Sequence, residues 1–426
     1  MAATSPAFGL FTCQVGLSSR LCYDPYEMRT AYGTDQLINA GYNGTGRTIV
    51  IIDAFQSPTL AHDVDTFSAF YGLPPSSAFL TQIAPDGQVA YNEFNSDMNG
   101  WAGEITLDVT WAHAIAPGAK IVLVLAKSDL DADILSAIQY AVNNNLGDVI
   151  SMSFGENESC LGPDLLNGYH NAFAQATKQG ITIFASSGDD GSAQGSCDGS
   201  GVVQAVSQPA SDPLVSGVGG TSLIASNYTK GADGFYSGGG VYQGEVVWEG
   251  ASGGGYSVVF DAPPFQKSLV KSKGRGVPDV AYNADVSTGV LTYWTRFPGY
   301  PAYTGFYTFG GTSAGSPQWA AIVAIADQAA GHRLGYLNSA FYQIGHTPPN
   351  YGPSFHDITS GSNAGDAPGF NAGPGWDATT GLGSPKVDGI VGRLIALTSP
   401  GDGVAAIATS KPHGNAKATS GTMQAH

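Results

Sequence analysis

One serine lies in a run that suits a nucleophile: Gly310-Gly311-Thr312-Ser313-Ala314-Gly315-Ser316-Pro317. Residues 306–309 before it are typical of a strand, and the apolar run 319–326 after it predicts a buried helix. We therefore expect Ser313 at or near a helix N-terminus, where free N–H groups and the helix dipole favour developing negative charge. The alternative is an ordinary N-cap serine, so the motif needs a partner base.

Histidine is the usual base for a serine nucleophile. The chain has eight histidines, none in the His-Gly-Thr-His setting of a conventional subtilisin-like hydrolase, although Asp53 after Ile51-Ile52 is similar to the first acid of such enzymes. His62, His113 and His170 lie on predicted helices, where a structural role is the ordinary interpretation. The base must be sought elsewhere.

Glu104 and Asp108 offer that base. They are four residues apart in segment 103–111, which predicts a helix, so both carboxylates share one face. Neighbouring acids repel when both are ionised, so the pair should titrate as a unit. In acid, a glutamate with an ordinary pKa of about 4.3 still accepts a proton, whereas a histidine at about 6.5 is already protonated. The alternative is a solvated acidic face, which the apolar segment 112–116 disfavours.

Two more acidic loops could do chemistry. Asp189 follows a predicted strand in a tight turn, where a protonated carboxyl can donate a hydrogen bond to an oxyanion. Asp357 and Asp377 lie in the Gly-containing segments 355–361 and 371–377, which suit calcium because that ion prefers oxygen ligands. In each case the alternative is a plain Asp turn.

Alternating strands and helices must hold these residues in place. Strand-length apolar runs at 48–52, 120–125, 148–152 and 181–185 alternate with helical segments at 132–142 and 165–177. This pattern predicts an α/β fold, with a mostly parallel central sheet flanked by helices. Asp53, Ser153, Ser187 and Asp189 fall at the carboxyl ends of those strands, where ligands gather in such sheets.

Composition limits the function classes. The 426 residues are 12% charged and carry a formal net charge of -17, which argues against nucleic acid or an anionic membrane as a partner and suits a protein that works in acid. No apolar stretch of roughly 18 or more residues predicts a membrane span. The start lacks the pattern of a signal peptide, which indicates a cytosolic chain or a mature form without its leader.

Cysteines and glycan triplets favour export. Cys13 with Cys22, and Cys160 with Cys197, are spaced compatibly with two disulfides, the alternative being four buried thiols. Acceptor triplets for N-glycans begin at Asn43, Asn157 and Asn227.

Composition also shifts along the chain. Residues 230–255 are rich in Gly, Tyr and Ser and predict hairpins and long loops over the site. We predict an N-terminal arm at 1–30, a single large catalytic domain at 31–395 and a disordered tail at 396–426.

Taken together, these residues resemble the sedolisin family, the serine-carboxyl peptidases, over roughly residues 30 to 395. The motifs that carry the resemblance follow the family's order: Glu104 with Asp108; Ser187-Gly188-Asp189 with Gly191; Glu245-Val246-Val247-Trp248; Ser252-Gly253-Gly254-Gly255-Tyr256-Ser257; Arg275 with Pro278-Asp279-Val280; Gly311-Thr312-Ser313-Ala314 with Pro317; and Gly375-Trp376-Asp377 with Thr380-Gly381-Leu382-Gly383.

The resemblance implies a subtilisin-like fold, peptide hydrolysis in acid and one structural calcium ion. Ser313 would attack the carbonyl, Glu104 would be the general base, Asp108 would orient Glu104, and Asp189 would furnish the oxyanion hydrogen bond. Calcium would be held by the side chains of Asp357 and Asp377 and the carbonyls of Ile358, Gly373 and Gly375. Ser153-Phe154-Gly155 falls where related folds pair a strand with the substrate.

The chain departs from the family in two places. Asp53 and Phe154 stand where some members have a glutamate and a tryptophan that extend the acidic network. The family's long N-terminal propeptide is absent, which implies a processed form. In addition, a Cys160–Cys197 disulfide would bracket Asp189 and stiffen the oxyanion side, which is our inference rather than a family trait.

The leading hypothesis is a monomeric, acid-active endopeptidase that acts on proteins or peptides, is made with a propeptide, and is secreted or kept in an acidic compartment such as the lysosome. A tripeptidyl-peptidase of the same family is the first alternative. A conventional subtilase using Asp53, an unidentified histidine and Ser313 is another, and a catalytically inactive, secreted calcium-binding protein is the last.

Overall fold

An eight-stranded, mostly parallel sheet forms the centre of the computed structural model, which describes residues 9–232, 234–298, 303–398, 412 and 421–426. Along the chain the strands are β1 Leu21–Tyr23, β2 Thr48–Ala54, β3 Leu80–Ile83, β4 Lys120–Ala126, β5 Val149–Met152, β6 Phe154–Asn157, β7 Thr182–Ser186, β8 Ala193–Gly195, β9 Val202–Gln204, β10 Ser207–Gln208, β11 Ser216–Ala225, β12 Thr229–Lys230, β13 Tyr236–Ser237, β14 Tyr242–Val247, β15 Gly255–Asp261, β16 Gly274–Val277, β17 Val280–Asn283, β18 Thr288–Thr295, β19 Thr304–Phe309, β20 Phe355–His356, β21 Ser384–Pro385 and β22 Gln424–Ala425.

Helices cover both faces of this sheet. They are α1 Pro25–Tyr32, α2 Thr34–Asn39, α3 Leu60–Tyr71, α4 Ser76–Phe79, α5 Ser96–Ile115, α6 Asp131–Asn143, α7 Pro163–Lys178, α8 Thr312–Ala330, α9 Asn338–His346, α10 Pro348–Tyr351 and α11 Val387–Leu397, with 3-10 turns at Thr12–Gln14 and Glu158–Cys160. None of the described helices is both long enough and apolar enough to cross a membrane.

The sheet order is β14-β11-β7-β5-β2-β4-β3, and β17 pairs in parallel with β11. Neighbouring strands from β3 to β11 run parallel, whereas β14 is antiparallel to β11. The four strands predicted from apolar runs are β2, β4, β5 and β7, and the two predicted helices are α6 and α7, each within two residues of the expected bounds. The prediction succeeds because these strands are buried on both faces and so consist of nearly unbroken apolar residues.

The core is divided between the two faces of the sheet. One cluster contains the apolar side chains of α5 and α8, and the other contains those of α6 and α7. Helices α5 and α8 pack against each other. Two long buried helices therefore fix the sites of Glu104 and Ser313 relative to one another.

Three segments differ from the sequence-based boundaries. The expected end of the arm, between residues 30 and 31, falls inside α1, and β1 pairs with β18, so residues 9–30 pack as part of the domain. Within 230–255, β12 and β13 form a hairpin, but β14 joins the edge of the central sheet.

The predicted disordered tail is also partly ordered. Helix α11 continues through Leu397, and β22 pairs with β6 at residues 424 and 425 because the edge of β6 offers unpaired main-chain groups. The remainder of the predicted tail, at 399–411 and 413–420, lies outside the described residues.

Both expected cysteine pairs are disulfides, Cys13–Cys22 and Cys160–Cys197. Of the glycan triplets, the one at Asn157 is buried, and its side chain donates to the Gly195 carbonyl at 2.9 Å. That asparagine is therefore inaccessible in the folded chain.

Candidate active site

Ser313 is the second residue of α8, as the sequence predicts, and it is fully buried. The chain enters the helix through Gly311, whose φ of 100° lies in the left-handed region that favours glycine. Pro317 lacks the N–H that would bond the Ser313 carbonyl four residues earlier. That carbonyl instead contacts the Ser153 hydroxyl at 3.5 Å, and the Ser313 hydroxyl contacts the Ser153 carbonyl at 3.5 Å.

Helix α5 carries both candidate base residues. Its N-cap, Asn95, accepts a hydrogen bond from the Met98 N–H at 2.9 Å, which satisfies one of the free donors of the first turn. Glu104 and Asp108 are both buried, one turn apart on the same face. The alternative of a solvated acidic face is thereby excluded, because α5 is buried against the sheet and α8 over most of its length.

Glu104 is near enough to Asp108 and to the Ser313 hydroxyl for both to influence the pKa of its carboxyl. Asp108 accepts a hydrogen bond from the Ser153 hydroxyl at 2.9 Å. The serine hydroxyl and the two carboxyls are therefore gathered in one buried cluster.

Burial favours the protonated form of each acid, but two carboxyls this close titrate as a unit, so one can be ionised while the other keeps its proton. Burial raises the pKa of Glu104 well above its usual range, and the neighbouring Asp108 raises it further. Burial also raises the pKa of Asp108 to about 7, although hydrogen bonds from Ser153 and Glu104 oppose the shift. Asp53 at the end of β2 is fully buried beside Asp108, and its pKa is raised in the same way. The chain thus has a third buried carboxyl next to the Glu104–Asp108 pair.

Asp189 follows β7 and is held against the start of α8. Its Oδ1 accepts hydrogen bonds from the Thr312 N–H and hydroxyl, each at 2.8 Å. Its Oδ2 faces Gly311, where an added Cβ would come within 2.7 Å of it. Burial raises the pKa of Asp189 to about 6 against the opposing hydrogen bonds from Thr312, so this carboxyl is protonated in mild acid.

The segment Ser252 to Gly254, which has no role assigned from its sequence, packs against the loop that carries Asp189. The Ser187 hydroxyl donates to the Gly253 carbonyl at 2.7 Å, and the Gly253 N–H donates to the Gly188 carbonyl at 2.7 Å. A Cβ on Gly253 would lie 2.1 Å from the Ser187 carbonyl oxygen. The glycine is needed because two backbones meet there, and this contact positions the loop that carries Asp189.

The strand predicted to bind substrate directs the Phe154 side chain into the core. The Phe154 side chain is fully buried and lies 5.9 Å from the Trp101 ring, between ring centroids. The exposed edge of Ser153, Phe154 and Gly155 instead pairs with residues 424–426, antiparallel, as a peptide would.

The histidines named from sequence have partners away from Ser313. His62 contacts Asp63, His113 contacts the Pro74 carbonyl and stacks on Phe79, and His170 contacts Asp212 at 2.8 Å. These contacts are structural, as the helical placement predicts.

The candidate calcium ligands lie around one loop. Asp377 accepts a hydrogen bond from the Gly373 N–H at 3.1 Å, and Asp357 accepts one from the Gly375 N–H at 3.0 Å. Their oxygen-only chemistry fits a hard cation. Within the described residues no group of three or more His, Cys, Asp or Glu side chains could hold a metal, so a cation here would also need backbone carbonyls such as that of Ile358.

Comparison with known proteins agrees with this geometry. Residues 86–339 match the model of the subtilase family. Kumamolisin from Bacillus sp. (strain MN-32) is 36% identical over 399 residues, which are 89% of this chain and 65% of that protein. Tripeptidyl-peptidase 1 from Mus musculus is 30% identical over 285 residues, which are 59% of this chain and 44% of that protein. The chain therefore spans less than two thirds of each of these relatives.

A solved structure has the same fold. Pseudomonas sedolisin, a serine-carboxyl proteinase complexed with two molecules of pseudo-iodotyrostatin, superimposes with a TM-score of 0.73 at 28% identity, over 89% of this chain and 100% of that one.

Proposed function

The chain belongs to the sedolisin family of serine-carboxyl peptidases, and from this premise we propose that it is an acid-active endopeptidase. The observation that supports this most is the convergence of three groups. Ser313 lies at the start of α8, the buried Glu104 carboxyl beside Asp108 interacts with its hydroxyl, and a carboxyl that is protonated in mild acid, Asp189, is held beside the same helix end.

The residues have distinct roles in this proposal. The Ser313 Oγ attacks the scissile carbonyl carbon, and its proton passes to Glu104, whose negative charge is shared with Asp108. The carbonyl oxygen becomes an oxyanion and accepts a hydrogen bond from Asp189 Oδ2. The proton on Glu104 then goes to the departing amine as the C–N bond breaks. Water repeats the sequence on the acyl-enzyme, and the free acid and Ser313 are restored.

The pH–rate profile on a denatured protein substrate tests this proposal. Ser313→Ala and Glu104→Ala should both abolish activity in acid, because one removes the nucleophile and the other removes the base. A Glu104→Ala variant that remains active would contradict it. A conventional subtilase would instead peak near neutral pH and lose activity below about 5 as its histidine protonates. Unfolding temperatures of both variants control for misfolding.

The endopeptidase mode is supported by the length of the cleft. Six residues, 421–426, lie along β6 and residues 129–131, so the acyl side of the cleft accommodates more than a tripeptide. A peptide with an acetylated N-terminus distinguishes the two modes. An endopeptidase cleaves it internally, whereas a tripeptidyl-peptidase releases tripeptides only from the unblocked form.

One structural calcium ion belongs to the proposal. The side chains of Asp357 and Asp377 and the carbonyls of Ile358, Gly373 and Gly375 would hold it, and it would stabilise the loop before α11. Elemental analysis should find one calcium per chain, and EGTA should lower the unfolding temperature. Asp377→Asn should abolish both effects, whereas Asp366→Asn at an exposed position should preserve them.

The proposal also includes export of the protein from the cytosol. Two disulfides fit an oxidising compartment, either outside the cell or acidic as in a lysosome. The substrates are proteins or peptides, a propeptide precedes maturation, and the active form is a monomer with no nucleic-acid or membrane partner. Gel filtration and fractionation of the producing cells test these points.

A further inference from the structure

Residues 421–426 of this chain lie in the cleft in the direction and position of the acyl side of a peptide substrate. We propose that this segment is a tethered, substrate-like ligand of the active site, which must leave before a peptide substrate can bind. The inference rests on the proposed function in taking this cleft as the substrate site.

Main-chain pairing holds the segment on both sides. On one side, Gln424 and Ala425 pair antiparallel with Gly155 and Phe154, and the His426 N–H donates to the Ser153 carbonyl at 3.2 Å. Ser153, Phe154 and Gly155 are the residues predicted to bind substrate.

The other wall of the cleft is the segment after β4. The Met423 N–H donates to the Asp129 carbonyl at 2.8 Å, and Thr422 forms an antiparallel bridge with Leu130. The segment is thus the middle strand of three, a mode in which main-chain hydrogen bonds supply affinity and alternate side chains supply selectivity.

Successive side chains of residues 422–424 alternate between exposed and buried environments. Met423 is 1% exposed and belongs to the apolar cluster that contains Trp101 and Phe154, whereas Gln424 is exposed. Gly421 lies against Glu156, and a Cβ there would meet the carboxylate at 2.0 Å. Met423 is therefore the side chain that anchors the segment.

The register in which residues 424–426 pair with β6 places the His426 carbonyl beside the proposed catalytic groups. An added Cβ on Gly311 would lie 2.9 Å from the His426 carbonyl oxygen and 2.7 Å from Asp189 Oδ2, so both groups meet over the start of α8. The His426 ring lies close to Gly155 and Gly188, and its Nε2 is buried without a hydrogen-bond partner among the described residues. The His426 carbonyl thus lies where the proposed mechanism needs the scissile carbonyl.

The segment reaches the cleft within one molecule. Residues 399–420, between Thr398 and Gly421, span up to about 75 Å when extended, against a diameter of roughly 55 Å for a domain of this size. Because a tethered ligand competes intramolecularly, its effect does not depend on enzyme concentration.

Steady-state kinetics of the full chain tests the proposal. Met423→Asp, assayed at pH 5, places a charge in the apolar pocket and should release the segment, so that KM falls at least fivefold while kcat is unchanged. Gln424→Asp places the same charge on an exposed side chain and should leave KM unchanged. An unchanged KM in Met423→Asp, or an effect that varies with enzyme concentration, would overturn tethered competition.

A binding measurement needs no catalysis and so separates this idea from the proposed function. A fluorescein-labelled peptide of sequence Gly-Thr-Met-Gln-Ala-His is titrated with Ser313→Ala and with Ser313→Ala/Met423→Asp. Anisotropy should show binding at least tenfold tighter to the second protein, whose cleft is vacated. Equal affinities would contradict the proposal. Met423→Gly, which removes the buried anchoring side chain without adding a charge, should give the same result if Met423→Asp fails to fold.

Discussion

Thr312 donates both its main-chain N–H and its hydroxyl to the same oxygen of Asp189, each at 2.8 Å. The same hydroxyl accepts a hydrogen bond from the Gly188 N–H at 3.1 Å. One threonine thus orients the acid and the loop that carries it, and it leaves the second Asp189 oxygen directed to the cleft. Because Thr312 directly precedes Ser313, it links Asp189, the proposed oxyanion donor, to the proposed nucleophile.

Thr312→Val should therefore impair turnover more than binding. It preserves the shape of the side chain and removes the hydroxyl, and a hydrogen bond to a charged or strongly polar group is worth about 1.5–3 kcal/mol. We expect kcat to fall about 10- to 100-fold with little change in KM. Thr312→Ser keeps the hydroxyl and should retain most of the activity. A Val variant with wild-type kcat would show that Asp189 needs no such support.

The folded protein should be more stable in acid than at neutral pH. Asp189 has a pKa of about 6 when folded, against about 3.9 in an unfolded chain, so between these values the folded state binds more protons. The free energy of unfolding should decrease as pH rises through this window, by about 3 kcal/mol for Asp189 alone. Asp108 should act in the same sense up to about pH 7.

Urea unfolding of the Ser313→Ala variant at pH 4 and pH 7 measures this difference without autolysis. Asp189→Asn in that background should remove part of the pH dependence, because the amide does not titrate. Asp366→Asn, at an exposed position, should leave it unchanged. Equal stability of Ser313→Ala at the two pH values would contradict the prediction.

The Cys160–Cys197 disulfide should matter for turnover as well as stability. It links the turn after β6 to the segment that follows β8, so it connects the strand proposed to bind substrate to the chain beyond Asp189. Loop-closure entropy predicts a loss of about 4 kcal/mol for Cys160→Ser/Cys197→Ser, with a sequence separation of 37, and about 2.5 kcal/mol for Cys13→Ser/Cys22→Ser, with a separation of 9.

The second pair joins the 3-10 turn at Thr12–Gln14 to β1, neither of which carries a residue of the candidate site, and it is the matched control. Only the Cys160→Ser/Cys197→Ser variant should show a lower kcat at a temperature where both variants are folded. If both variants keep full kcat, the disulfide does not stiffen the oxyanion side.

The buried ion pair of Arg275 and Asp279 should be costly to break. The two groups are fully buried and 2.5 Å apart, and Asp279 also accepts a hydrogen bond from the Gly217 N–H at 2.8 Å. Asp279→Asn leaves the guanidinium without its counter-charge and should reduce the free energy of unfolding by about 3–5 kcal/mol. In denaturant titrations, Arg275→Met/Asp279→Asn should lose less than the sum of the two single variants.

Local patterns predicted much of the site, and pairings between distant segments account for what they missed. Glu104 and Asp108 are recognisable because helical periodicity places them on one face, and Ser313 because Gly311 marks a helix start. The contact between Asp189 and Thr312 joins residues 123 positions apart and has no local signature.

The segment 421–426 was missed for a related reason. It has no apolar period, because its strand geometry comes from main-chain pairing with β6 rather than from its own side chains. Asp129 and Leu130, which form the other wall, follow β4 at its carboxyl end, so the strand-end rule applied to this strand would have indicated them.

Pro317 has an effect beyond its own helix. It leaves the Ser313 carbonyl without a donor from the helix backbone, and that carbonyl contacts the Ser153 hydroxyl instead. The same hydroxyl donates to Asp108, and the Ser153 carbonyl contacts the Ser313 hydroxyl. The residue just before β6 thus contacts both the proposed nucleophile and one of the two acids on α5. In the proposed mechanism, a peptide that pairs with β6 therefore binds to the same segment that orients the Ser313 hydroxyl.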